Sequence, residues 1–196
     1  MYEQELKNYR MLNELAEPDG IVIFGGNADR ELPLCELKQA FSIEQGLYNR
    51  SLPELSVRDA AEWYAACTAP LHPETVLLHI GEADRGWFAE NSDEFDHLYR
   101  NLIAQIRKLN KKCRIAVLSL QSPADDPVIC EMNRHLRYIA ESEHCEYGDL
   151  AEKRVWNPKE TKEVASFVQA MGLVRSRRTM YDLVKILFGC TTVQET

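Results

Sequence analysis

The chain has no C-x-x-C pair, and none of its five histidines stands at zinc-finger spacing from a cysteine. Its six cysteines, Cys35, Cys67, Cys113, Cys130, Cys145 and Cys190, are scattered singly. They read as small buried apolar side chains of a protein kept in a reducing cytoplasm, so neither a metal site nor a disulfide frame is expected. Long hydrophobic runs are also missing. The longest, residues 21–24 and 75–80, fall far short of a bilayer span. The opening Met1-Tyr2-Glu3-Gln4-Glu5-Leu6 lacks the basic flank and apolar core of a signal peptide. Positive charge is in deficit, 23 Lys and Arg against 31 Asp and Glu, for a net charge of -8. That field repels nucleic acid and anionic membranes, which are not expected as partners. Gly25-Gly26 does not match G-x-G-x-x-G, so no dinucleotide cofactor is expected either.

What is present has the balance of one globular domain. No repeat, low-complexity tract or Pro/Gly-rich linker divides the 196 residues, of which 45% are hydrophobic and 28% charged. Residues 1–18 are expected as an N-terminal helical extension of a single domain over 1–196. A domain of this length buries roughly 70% of its unfolded surface and needs no covalent staple.

Hydrophobic spacing predicts the elements. Leu6, Tyr9, Leu12 and Leu15 pattern a helix over 2–16, which Glu17-Pro18-Asp19-Gly20 breaks. Ile21-Val22-Ile23-Phe24 ahead of Gly25 has the form of a strand buried on both faces. A second strand is expected over 46–49. Ser56 with Asp59 then opens a helix in a capping-box arrangement. The run 75–80, closed by Gly81, is a third buried strand. Phe95, Leu98, Leu102, Ile106 and Leu109 stripe a helix over 92–109, and 113–120 makes a fourth strand. Asp126-Pro127 supplies an N-cap and a first-turn proline for a helix through Ala140. A short fifth strand at 144–147 and a final helix at 179–188 complete the pattern.

Buried strands alternating with amphipathic helices imply an α/β fold, a parallel sheet covered on both sides. Right-handed crossovers place every strand's carboxyl end on one edge, where the ligand crevice of such folds lies. The segments 25–30, 49–54, 81–87, 120–123 and the loop before the last helix therefore carry the chemistry.

In that order these segments resemble the SGNH (GDSL-type) hydrolases over residues 20–189, nearly the whole chain. The resemblance implies a three-layer α/β/α sandwich with a parallel five-stranded, flavodoxin-like sheet, and an ester-hydrolysing ancestry. It also implies what has been replaced. Where the family places Gly-Asp-Ser, with Ser as nucleophile, this chain has Gly25-Gly26-Asn27. A carboxamide nitrogen is delocalised into its carbonyl and cannot accept an acyl group. In the second block, Tyr48-Asn49-Arg50-Ser51-Leu52, Ser51 stands at the glycine whose N–H helps form the oxyanion hole. Gly81-Glu82-Ala83-Asp84 stands for Gly-x-Asn-Asp, so Ala83 removes a donor whose loss costs on the order of 3 kcal/mol. Met171-Gly172-Leu173-Val174 aligns with Asp-x-x-His, which puts Met171 and Val174 at the carboxylate and the base. No Asp-x-x-His occurs after Cys145, and the last histidine is His144.

The residues implied are thus a scaffold without the family's reaction, binding a small anionic or acyl ligand or a protein partner. Candidate ligand-binding residues are Asn27, Asp29, Arg50, Ser51, Glu82, Asp84, Arg175 and Arg177. The run Arg175-Ser176-Arg177-Arg178 reads either as an anion site at the last helix or as surface arginines paired with excess carboxylates. Asp29, Glu54, Glu82 and Asp84 either line the crevice or act as solvated and capping groups. Trp87 and Phe88 either wall a pocket or pack beneath the loop. The alternative is an esterase or acylhydrolase with relocated groups, drawing a nucleophile from Ser51, Ser119, Ser122 or Cys67. It requires a nearby histidine, and His79 reads more plainly as a satisfied core residue inside its strand.

Overall fold

The computed structural model describes residues 3–40, 43–121, 126–150, 154–157 and 162–164. Its strands are β1 (Ile21–Gly25), β2 (Leu47–Asn49), β3 (Thr75–His79), β4 (Arg114–Leu118), β5 (Glu146–Asp149), β6 (Arg154–Asn157) and β7 (Lys162–Val164). The α-helices are α1 (Glu3–Glu14), α2 (Asn27–Arg30), α3 (Leu34–Ala40), α4 (Val57–Trp63), α5 (Arg85–Phe88), α6 (Ser92–Leu109) and α7 (Pro127–Ser142). The sheet runs β2-β1-β3-β4-β5-β6-β7, with the first five strands parallel. This is the five-stranded parallel sheet expected of the α/β class. It is extended at one edge by β6 and β7, which pair antiparallel. The link from β5 to β6 is too short for a crossover helix, and a short link suits only an antiparallel neighbour.

Alternation along the central strands divides the core. Phe24, Val76, Leu78, Ile115 and Val117 pack with α4, α6 and α7 on one face. Ile21, Ile23, Leu77, Ala116 and Leu118 point to the other, where Leu37 and Ile43 meet them. That period of two is why β1 and β3 read as unbroken apolar runs: both faces are covered. The expected final helix at 179–188 lies outside the described residues.

Helix starts follow local chemistry. Asp126 accepts from the Val128 and Ile129 amides ahead of Pro127, as its position implies. Ser56 caps α4 by accepting from the Arg58 amide at 3.2 Å. The carboxylate that completes this helix start is Asp84, from across the fold, accepting from the Val57 amide at 2.8 Å and the Ser56 hydroxyl at 2.5 Å.

The N-terminal helix departs from its expected stripe. Tyr9 faces the core, yet Leu12 is 49% and Leu15 84% exposed. A strict spacing of three falls short of a 3.6-residue turn, so the stripe slips by roughly 60° at each step. Asn13, four residues after Tyr9, takes the inner position and donates to the Cys67 carbonyl at 2.8 Å.

Candidate functional site

The strand order reverses between β1 and β3, which sets the crevice outside their carboxyl ends. A shallow cleft opens there, lined by Gly26, Asn27, Glu54, Leu55, Gly81, Glu82 and Ala83. Gly81, at φ 134°, allows the chain to leave β3 in a conformation that side-chain-bearing residues rarely adopt. The first and third aligned blocks therefore meet here, with Glu54 and Leu55 from just beyond the second, although they lie far apart in sequence. Asn27 is exposed, and its amide donates to Glu54 Oε1 at 2.5 Å. Glu82 and Ala83 are exposed on the opposite wall.

The other described candidates are drawn inward. Asp29, 1% exposed, turns its carboxylate onto His79 Nδ1, at 2.8 Å for Oδ2 and 3.0 Å for Oδ1. Gly25 makes room for this: a Cβ there would overlap Asp29 Oδ2. Asp84 is buried as the partner of Ser56 and Val57, and its pKa is raised because burial outweighs those hydrogen bonds. Arg50 is also buried. Its guanidinium donates to Asn13 Oδ1 and to the Asn49 carbonyl, and lies over the rings of Tyr9 and Tyr48. Neither Arg50 nor Asp84 lines the cleft, because each finds its acceptors or donors within the fold.

Ser51 is held on three sides. Its amide donates to Asn49 Oδ1 at 2.9 Å, its hydroxyl oxygen accepts from the Gly25 amide at 3.0 Å, and its carbonyl accepts from the Tyr9 hydroxyl. The N–H that the family resemblance assigns to an oxyanion is thus occupied by a neighbouring carboxamide. Met171, Val174, Arg175 and Arg177 lie outside the described residues.

The relocated nucleophiles fare differently. Ser119 is buried, with its hydroxyl oxygen accepting from the Leu150 amide at 2.8 Å. Cys67 is buried and its thiol is pushed up to about 11, so it stays protonated at neutral pH. Ser122 lies outside the described residues. His72 and His144 sit just before β3 and β5, at the far edge of the sheet, and His97 and His135 fall on α6 and α7. His79 alone of the five stands at the cleft edge of the sheet, at the end of β3. Its Nε2 is buried without a hydrogen-bond partner. The sequence shows His79 only as one letter within an apolar run. Its pairing with Asp29 is the feature that residue-by-residue reading missed. Phe88 packs edge-on to Phe95 beneath the loop, while half-buried Trp87 lies under the Arg58 guanidinium. Among the described residues no cluster of three His, Cys, Asp or Glu could hold a metal ion, and no helix is long and apolar enough to cross a membrane.

Comparisons with known proteins place the fold. No family model matches the sequence, and no curated protein matches it. Solved structures do. A candidate acylhydrolase from Bacteroides fragilis superposes with a TM-score of 0.64 at 18% identity, over 93% of this chain and 95% of its own. A candidate GDSL-like lipase from Parabacteroides merdae gives 0.61 at 12% identity, over 90% and 98%. Axe2, an acetylxylan esterase from Geobacillus stearothermophilus, gives 0.60 at 17% identity, over 91% and 99%. The fold is that of the SGNH/GDSL-like hydrolases. The cleft at the ends of β1 and β3 is where such an α/β fold sets its ligands.

Proposed function

We propose that this chain is an SGNH-like protein of the reducing cytoplasm that does not hydrolyse esters and uses the strand-end cleft to bind a small molecule or a protein partner. One observation carries the reading. Asn27 stands in the nucleophile's place with its carboxamide tied to Glu54, while the histidine nearest the cleft is turned inward onto Asp29. Ser51 and Ala83 add to it, since neither offers an oxyanion the donor that the reaction needs. An anionic ligand would draw its countercharge from Arg175 and Arg177, because the described walls contribute Glu54 and Glu82.

The test is a panel of esters from acetyl to octanoyl, assayed beside an Asn27→Ala control. Background rates for both proteins are expected. Turnover well above background that falls on mutation of a cleft residue would overturn the proposal. A parallel thermal-shift screen of small carboxylates, phosphates and acetylated sugars reports binding as a raised midpoint.

A second reading, an acylhydrolase with relocated groups, draws support from the Asp29–His79 pair. An imidazole oriented by a carboxylate at the strand ends is half of a nucleophile-activating system. It requires a hydroxyl or thiol hydrogen-bonded to Nε2, and the described residues supply none. A covalent acyl adduct, detected by intact mass after incubation with an activated ester, would favour this reading.

A further inference from the structure

His79 lies among groups that favour a positive charge. The groups that face it are the Asp29 carboxylate from α2, Glu82 from the turn after β3, and the backbone of Ser119 at the end of β4. A neutral imidazole that donates its Nδ1–H in a hydrogen bond to Asp29 presents Nε2 as a bare lone pair, and no donor is in place to meet it. The imidazolium instead donates its Nδ1–H to Asp29 and places its charge near Asp29, Glu82 and the Ser119 backbone. Burial disfavours that charge, yet the Asp29 charge and hydrogen bond, with Glu82 and the Ser119 backbone, outweigh burial and raise the pKa.

Both ends of the pair lead directly to the cleft. Asn27 and Asp29 share the single turn of α2, which follows Gly25-Gly26. On the other side, Glu82 follows His79 after Ile80 and Gly81 and lines the opposite wall. The turn is fastened through Asp29, whose carboxylate holds His79 and whose carbonyl accepts from Asn49 Nδ2 at 2.7 Å. When the imidazolium loses its proton, Asp29 is left as a buried carboxylate without a countercharge, which is costly unless it moves toward water.

We infer that the Asp29–His79 pair is a pH-responsive latch: with the proton on His79 it holds α2, and Asn27 with it, against the cleft, and without the proton it lets that turn loosen. The experiment is amide hydrogen exchange on the full chain between pH 6 and pH 9, with each rate divided by its intrinsic value. Protection over 27–31 is expected to fall several-fold across that range while α6 holds steady, and Asp29→Asn is expected to flatten the dependence. The ring-nitrogen shifts of His79, assigned with His79→Gln, should show an imidazolium at pH 6. A neutral ring at pH 6, pH-independent protection over 27–31, or an equal fall in Asp29→Asn would each overturn the latch. If either variant fails to fold, the wild-type exchange series still decides. The readout needs no ester and no ligand, so its failure leaves the proposed function standing.

Discussion

The Tyr9 hydroxyl donates to the Ser51 carbonyl at 2.5 Å, joining the N-terminal helix to the loop that closes β2. Removing that hydroxyl by Tyr9→Phe leaves a buried carbonyl without its donor, which costs about 1–2 kcal/mol. The loss is expected as a lower urea midpoint with an unchanged slope. Burial raises the Tyr9 pKa, and Arg50 nearby only partly offsets it, so the hydroxyl remains a donor across the neutral range.

Gly25→Ala tests how tightly β1 and the Asp29–His79 pair depend on one another. The added methyl occupies the space of Asp29 Oδ2 and drives the carboxylate off His79. Breaking a buried pair in this way costs about 3–5 kcal/mol, measurable by denaturant unfolding.

The same pair sets a sign for the pH dependence of stability. His79 has a folded pKa raised above its unfolded value of about 6.5. Its contribution is therefore complete below that value and is lost as pH rises through the folded pKa. Thermal midpoints of the wild type should decline from pH 6 toward alkaline pH, and those of Asp29→Asn should decline less. A wild-type midpoint that climbs over this interval would contradict the assignment.

Asp84 anchors the start of α4, so Asp84→Ala strands the Val57 amide and the Ser56 hydroxyl together. A loss of about 2–4 kcal/mol is expected. The raised pKa of Asp84 also means that ionising it costs stability as pH rises from its unfolded pKa through its folded pKa. Acid titration of the wild type and of Asp84→Ala should differ in slope in that window.

A hydroxyl placed at residue 27 is expected to confer no esterase activity. Asn27→Ser places an Oγ in the cleft, but the only histidine at that edge has its Nε2 buried. No burst or steady turnover is expected with p-nitrophenyl acetate, because a serine without a base is a weak nucleophile.

The long elements were legible because they bury continuous faces. The helix over 92–109 matches α6, and the strands β1 and β3 stand where their apolar runs lie. The slip of α1 and the antiparallel β6 and β7 were not, since both turn on partners chosen after the chain folds. At the site, the order of the segments pointed to Asn27 and Ala83, and both line the cleft. The burial of Asp29, Arg50 and Asp84 could not be read in this way, because a charged letter carries no mark of whether water or another residue will face it.

By itself, the order of hydrophobic runs and breakers determined a parallel α/β sheet and the edge on which a cleft would form. That information is local, written in the periodicity of side chains that must leave water. Only the tertiary structure decided which polar groups remain at the edge and which turn inward. Asp29 and His79 are 50 positions apart, and their pairing exists only because β1 and β3 lie side by side with a glycine between the carboxylate and the strand.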